Sequence, residues 1–565
     1  MSPETDDRPA RSRLLASPRG PRVKRRGFLG ATAGTLATAA CGPSTPPPPA
    51  IAFVGPDPER SHHLREGTWR EGPVHETIHT DVAIVGGGVA GSAAAWRLRR
   101  AGLADLHLFE LEDEVGGTAR GGELPRSRHP LGAHYLPTPP PDCPALERLL
   151  TDLGVILGRD AHGRPEYAPS AIAAAPLERH FGRGRWYEGL YPAAGETAEE
   201  AAQWARWHAH LRALDGRRGG DGKPLFAIPV ARSSAELRHL DAVSFAQHLD
   251  ELELRSERLR WALDYACRDD YGCTLAQTSA FAGLHHFLAR GLEETRGGFL
   301  LTWPEGNARL VRGMLERADL GARLHRGAAV VAVDPHAGEL RVHCPGDGRR
   351  LRVHARSILW AAPRFVLGRL LVGPDPLPVG ALTYAPWLVA SVEVRNAPRG
   401  VGARLAWDNV PLAGSSLGYV VATHGETADE RQPGAVLTYY EPLCGDGPAE
   451  LAAQRQRLLA GDRSHWADHV ISALAAMHPG IASEISEVAI TRWGHAMIRP
   501  VPGLLFGENL ALASAPIGRL RPCAADVAGL PLFEEAFYKG SRAALAALAD
   551  LGRAAPDALA DEIFI

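Results

Sequence analysis

Gly86, Gly88 and Gly91 stand in the spacing G-x-G-x-x-G, and Glu110 follows 19 residues after the last of them. Those residue types at that spacing suit one task, holding a dinucleotide. The first glycine permits a tight turn, the second lets backbone approach a pyrophosphate, and the third lets a helix lie close on a strand. The amides at that helix start, with their partial positive charge, face the phosphates. A carboxylate at the distance of Glu110 accepts both hydroxyls of a ribose and repels a 2′-phosphate, which disfavours an NADP-type ligand. A glycine turn alone says little. Here it falls in order: an apolar run at 81–85 of strand type, the turn, a helix continuing over 92–100, and a second strand at 106–110 that ends in the acid.

Five residues after Glu110 come Gly116 and Gly117, then Thr118, Ala119 and Arg120. This E-x5-GG arrangement resembles the FAD-binding amine oxidase superfamily, which includes monoamine and polyamine oxidases and phytoene desaturases. The resemblance implies non-covalent FAD, with the double glycine passing close to the pyrophosphate and Arg120 contacting it. "HPLGAHYL", with Gly132, Ala133 and His134, resembles the segment that runs toward the flavin ring. "FLLTWPEGNARLVRGML" reads as strand, Pro-Glu-Gly turn and helix, and resembles the segment that returns to the FAD domain. A valine placed like Val331 packs by the adenine in that family. An acid before the last helix binds the ribityl chain there, which brings Asp526 forward. The family runs strand, glycine and acid together, whereas "APIGRLRPCAA" intervenes here, so a plain helix-start role for Asp526 stays open. The strand before it is read at 509–514, and the helix at 533–548. Ala536, Gly540 and Ala544 recur at i, i+4 and i+8 on that helix, giving a flat face for close packing. No second G-x-G-x-x-G with a following acid occurs, which argues against a reductase with separate FAD and NAD domains. "CRDDYGCTLAQTSAFAG", "RWGHAMIRPVPG" and "LFEEAFYKG" resemble segments of spermidine dehydrogenase and similar exported bacterial flavoproteins.

These pieces need elements to carry them. The expected fold is α/β: a Rossmann-like FAD-binding domain built from residues 76–150, 297–370 and 486–555, with an α+β substrate domain from 151–296 and 371–485 inserted between. The inserted half is rich in Trp, Tyr and His, a composition suited to an apolar pocket over a flavin. Asp269, Asp270 and Tyr271 read as a polar break between helical runs, either a substrate-contacting turn or a helix-capping pair. His285-His286 lie in a helical run without a third ligand at metal spacing, so no metal site is expected. His495 reads as a Gly-His break after a strand at 487–493, close to the FAD return. It is the candidate catalytic residue, since an imidazole titrates near neutrality; a structural histidine is the alternative. Many amine oxidases place a lysine near the flavin, yet between Lys223 and Lys539 this chain has none.

The first 41 residues suggest an address. Arg25-Arg26 before Phe28-Leu29, followed by a short, weakly apolar run of small residues, resembles a twin-arginine signal for bacterial export. Small residues before Cys41 resemble a lipoprotein cleavage site; ordinary cleavage near Ala40 is the other reading. Residues 42–75 read as a Pro-rich linker and lead-in. The chain has 565 residues, 45% hydrophobic and 22% charged, with a net charge of -3, so a nucleic-acid partner is not expected. Seven scattered cysteines form no zinc pattern; Cys267 and Cys273 are either bridged or reduced. The chain therefore reads as an exported FAD-dependent oxidoreductase that takes hydride from a small molecule, an amine by resemblance, and passes electrons to oxygen or a periplasmic carrier. A C–C desaturase or isomerase, or a flavin-binding protein without turnover, are the alternatives.

Overall fold

The computed structural model describes residues 47–140, 143–292, 299–424 and 433–554. The residues read as the export signal, Arg25, Arg26 and Cys41 among them, lie outside these.

The strand Glu76–Val85 (β1) opens the cofactor half. Val82, Ala83, Ile84 and Val85 are all buried, because a parallel strand in the middle of a sheet is covered on both faces. Leu106–Phe109 (β2) pairs parallel to it on one side and Arg350–Trp360 on the other. Arg350–Trp360 also closes an antiparallel meander with Glu339–His343 and Ala329–Asp334. The short strand Leu520–Pro522 pairs parallel with it at its far end. Between β1 and β2 runs the helix Val89–Arg100 (α1). The last helix, Phe533–Asp550, packs on α1, and its small-residue face explains how closely. Ala536, Gly540 and Ala544 are all buried. A Cβ on Gly540 would lie 2.0 Å from the carbonyl oxygen of Ala90.

The other half is an eight-stranded, mostly antiparallel sheet. Its order is Ala50–Val54, Ile485–Ile498, Tyr384–Val394, Ala435–Pro442, Tyr419–Val421, Asp408–Pro411, Glu178–Gly182 and Arg185–Glu188. The helices Pro448–Ala460 and Arg463–Met477 are packed against this sheet. The helices Ala198–Leu214, Phe245–Glu251, Glu257–Tyr271 and Ala280–Leu288 share a core with α1 and the last helix. Thr197 and Ser244 close two of these helices with reciprocal capping boxes, each cap worth about 1 kcal/mol.

Four expectations are corrected. Of the stretch read as a linker, residues 47–75 hold ordered elements: Ala50–Val54 is an edge strand parallel to Ile485–Ile498, and Pro58–Glu66 is a helix capped by Asp57. The proline tract masked a short apolar strand and a proline well suited to a first helical turn. The stretch 509–514 is helix, Glu508–Ser514, and the returning strand is Leu520–Pro522. Alternating Leu and Ala satisfied a strand pattern, but Ala and Leu are strong helix formers. Ile485–Ile498 belongs to the second sheet, so the third cofactor segment begins after it rather than at 486. Asp269, Asp270 and Tyr271 are the last turn of the helix Glu257–Tyr271, not a break. Cys267 and Cys273 are free thiols.

Candidate functional site

The glycine turn and the double-glycine loop face each other. Gly86 has φ +102° and its Cβ would meet the backbone of Ala361 and Ala362 at 2.8–2.9 Å. A Cβ on Gly91 would lie 1.9 Å from the Gly86 carbonyl oxygen. Gly116 donates its amide to the Gly87 carbonyl at 2.9 Å. Gly88 and Gly117 meet with no side chain between: a Cβ on either would point at the other's Cα, at 3.8 and 3.3 Å. Two bare strips of backbone therefore border one channel. Arg120 is buried beside it, with Nη2 on the Glu114 carbonyl and a buried Nε that has no partner. Such an orphan donor fits a phosphate oxygen.

Glu110 lies against the glycine turn. Its Oε2 accepts from the Gly87 amide at 2.7 Å and its Oε1 from the Glu112 amide at 3.0 Å. Burial pushes its pKa up, against the pull of those amides and Arg120. Each oxygen keeps a lone pair free for a hydroxyl. Val331 is buried at a bulge of the strand Ala329–Asp334. Ala328, just before that strand, donates to the Glu110 carbonyl, so Val331 lies toward the same end of the site.

Gly132, Ala133 and His134 continue from the channel. A Cβ on Gly132 would lie 2.4 Å from the Thr118 carbonyl oxygen. Ala133 hydrogen-bonds to Thr118, and Asn307, at the foot of the Pro-Glu-Gly turn, donates to the Ala133 carbonyl. The separate sequence segments thus converge on one strip. Asp526 lies against Arg364, two residues beyond the Ala362 that backs Gly86: its Oδ2 accepts from the Arg364 amide at 2.6 Å and the Tyr384 hydroxyl at 2.8 Å. Its buried Oδ1 has no partner. Asp526 lies in a separate turn, Ala525–Ala528, while the helix begins at Phe533, so it does not cap that helix.

His495 is not in a terminal break. Ile485–Ile498 runs on through it, with pairing interrupted opposite Pro386 between Trp493 and Met497. Its ring stacks on Phe365 at 4.4 Å and meets Tyr384 edge-on at 5.9 Å. Crowding by these neighbours lowers its pKa, and Arg455 and Arg369 lower it further.

Beyond His134 lies a set of residues that sequence reasoning did not assemble. The His134 ring contacts Tyr135, Trp407 and Tyr440. Burial lowers the His134 pKa to about 4, so the ring is neutral. Asp408 receives hydroxyl protons from Tyr265 at 2.8 Å and Tyr440 at 2.9 Å. Burial raises it to about 6. Tyr135 bonds Asp270 at 3.2 Å and reaches Asp269 at 3.5 Å. Asp269 is pushed well above the carboxylate range by burial, then by Asp270 and Asp408. Two acids in a last helical turn oppose the helix dipole, each at a cost of about 0.3–1 kcal/mol. For Asp270 the compensation is His286, at 2.6 Å. Among the described residues neither Asp269 nor Asp408 has an ion-pair partner. One signal could have exposed this set: paired acids where a helix ends.

This arrangement, a Rossmann-like half joined to an antiparallel sheet with an acidic, aromatic cluster of side chains, defines a mixed α/β fold of the dinucleotide-binding kind. The NAD(P)-binding Rossmann-like domain family matches residues 84–153. No curated protein sequence matches the chain. Among solved structures the chain is similar to putrescine oxidase, at 18% identity and a TM-score of 0.60, over 84% of this chain and 100% of that one. Cyclohexylamine oxidase from Brevibacterium oxydans is similar at 16% identity and 0.58, over 84% and 100%. A fatty acid isomerase from P. acnes is similar at 13% and 0.57, over 82% and 97%. The chain shares their fold.

The channel makes one test direct. Glu110→Ala is expected to weaken dinucleotide binding, since a charge-assisted hydrogen bond contributes roughly 1.5–3 kcal/mol. Titration of apoprotein with FAD checks it, and an unchanged Kd would remove Glu110 from the site.

Proposed function

We propose that the protein is an FAD-dependent oxidoreductase that accepts hydride from an amine. The residues fit FAD: facing bare glycines, an orphan Arg120 donor for the pyrophosphate, Glu110 for the ribose, and an orphan Asp526 oxygen for the polyol chain. When bound there, FAD would supply a hydride acceptor. The protein's part is position and electrostatics. The observation that carries the amine reading is the Asp269–Asp408 pair, without a counter-ion and walled by Tyr135, Trp407 and Tyr440. A cation there gains the Asp408 carboxylate and the ring faces and draws Asp269 toward its ionised form; such ring contacts are worth about 0.5–2 kcal/mol each. Putrescine oxidase and cyclohexylamine oxidase share the fold, which favours the same reading.

Anaerobic mixing of the holoprotein with putrescine and with cyclohexylamine is expected to bleach the flavin. Asp408→Asn should raise the amine's Kd roughly 10–100-fold, the loss of one charged contact. The sign with pH follows from Asp408: it is ionised above about 6, so amine affinity falls as pH drops through that value. Bleaching by an unsaturated fatty acid instead would favour the C–C desaturase or isomerase alternative, whose fold relative is the fatty acid isomerase. A flavin that nothing bleaches would favour a binding protein. The Arg25-Arg26 segment and Cys41 support export by the twin-arginine route, lipid-anchored or free; cell fractionation checks both.

A further inference from the structure

This inference rests on FAD as the cofactor. Both phosphates of its pyrophosphate are negatively charged. The channel offers them one side-chain cation, Arg120, and the free amides at the start of α1. A second cation from the chain would complete the balance, and the last helix carries one.

The last helix, Phe533–Asp550, runs the same way as α1. Its Gly540 sits on the carbonyl of Ala90, in the first turn of α1. Just past its far end, Arg553 bonds Asp81, which precedes the buried run 82–85 leading up to the glycine turn. Both helices therefore run away from that turn. Residues 533–539 come before the contact with Ala90, so they stand past the start of α1, on the side its free amides face. Lys539 is the last of these, directly before Gly540. Side chains on a helix lean toward its N-terminus, which carries the ammonium further to that side.

Three buried residues act on this ammonium: Glu535 one turn earlier, Cys523 and Asp526. The Cys523 amide donates to the Trp360 carbonyl, and Ala361 and Ala362, next in the chain, back Gly86. Asp526 is the acid whose Oδ1 has no partner. These neighbours place Lys539 beside the glycine turn. It keeps accessible surface among them, yet among the described residues its ammonium makes no hydrogen bond and no ion pair. We infer that the Lys539 ammonium binds the pyrophosphate of the cofactor, as a second cation together with Arg120.

The nearby acids do not take that role away. Burial lowers the Lys539 pKa, Glu535, Cys523 and Asp526 hold it up, and Arg542 lowers it further. Glu535 is itself raised to about 7 by burial, and its Oε1 is taken by the Val230 amide. Asp526 is raised by burial as well. Neither is a full counter-charge near neutral pH. A helical pair between Glu535 and Lys539 would be the structural explanation, but the two form no ion pair.

The test is titration of the apoprotein, wild type and Lys539→Met, with FAD and with ADP, which carries the adenosine pyrophosphate without the flavin. Both Kd values are expected to rise by a similar factor, about 10–100-fold, the loss of one charged contact. The apoprotein variant should melt no lower than wild type, because a largely buried charge without a partner costs stability. Unchanged Kd values would overturn the inference. Weaker FAD with unchanged ADP would put the ammonium at the flavin and overturn it too, and a lowered apoprotein melt would make Lys539 a packing residue. A second measurement needs no variant. The chain has three lysines, Lys24, Lys223 and Lys539, so acetylation with acetic anhydride can be read site by site. Lys539 should be protected in proportion to ADP occupancy, while the exposed Lys223 serves as the internal standard. Lys539 labelled equally with and without ADP, in protein that takes up FAD, would overturn this inference alone. Wild-type apoprotein that takes up no FAD would overturn the FAD reading and the inference with it.

Discussion

Gly91→Val is expected to yield a protein purified without flavin. A Cβ at Gly91 would lie 1.9 Å from the Gly86 carbonyl oxygen, which is backbone and cannot swing away. Gly86 is itself fixed, with φ +102° and the Ala361–Ala362 backbone against it. Relief would require α1 to lift, but α1 is pinned by Gly540 of the last helix seated on Ala90. Overpacking of this kind costs typically 1–3 kcal/mol or more, and here it falls on the turn that must meet a pyrophosphate. The flavin-to-protein ratio and a thermal melt read the two effects separately. Gly88→Ala is the control. Its Cβ clears every atom within 3.8 Å, so the fold should hold while the channel narrows and FAD affinity drops. A yellow Gly91→Val protein with wild-type flavin content would reject this account.

The cofactor half was largely legible because its rules are local. A glycine spacing, an acid at a fixed distance and a small-residue helix face each follow from backbone geometry within a few tens of residues. Gly86, Gly88, Gly91, Glu110 and Gly117 come together as that spacing implies, and Gly540 does lie on α1. Where the reading failed, local pattern competed with tertiary pairing. Ile485–Ile498 looks like part of the returning segment, but its partners are Tyr384–Val394 and Ala50–Val54. No property of a strand by itself names its neighbours.

The acidic, aromatic cluster was not legible for the same reason, in stronger form. Tyr135, Asp269, His286, Asp408 and Tyr440 lie on five different elements spread between residues 135 and 440. Asp408 begins a short strand and Tyr440 lies within a long one; each has an ordinary place in its own segment. Only the acids ending Glu257–Tyr271 departed from local preference, since the negative end of a helix dipole repels them. Local cost with no local compensation points to a partner elsewhere, here His286.

His495→Ala is expected to keep flavin and fold but to slow turnover by roughly 10²–10⁴, the range for a lost general acid or base. His495 touches none of the cradle glycines, so cofactor loading should survive. Its position places it beside both cofactor segments. Trp493, two residues before it, donates its indole N–H to the Leu131 carbonyl at 2.6 Å, next to Gly132. Tyr384, against the His495 ring, donates to Asp526. The ring remains accessible, and its lowered pKa keeps it neutral at neutral pH. A neutral imidazole can accept a proton or hold a water at the reacting centre. The sequence has no lysine between Lys223 and Lys539 to do so. His495→Gln should recover part of the rate where the role is to hold water, since an amide keeps a donor and an acceptor but does not titrate. The contribution of His495 should persist well below pH 6.5 and fade only as pH drops through the depressed pKa, where the ring gains its proton. Flavin reduction rates measured for both variants across that range check the role; rates equal to wild type in His495→Ala would leave the histidine a packing residue between Phe365 and Tyr384.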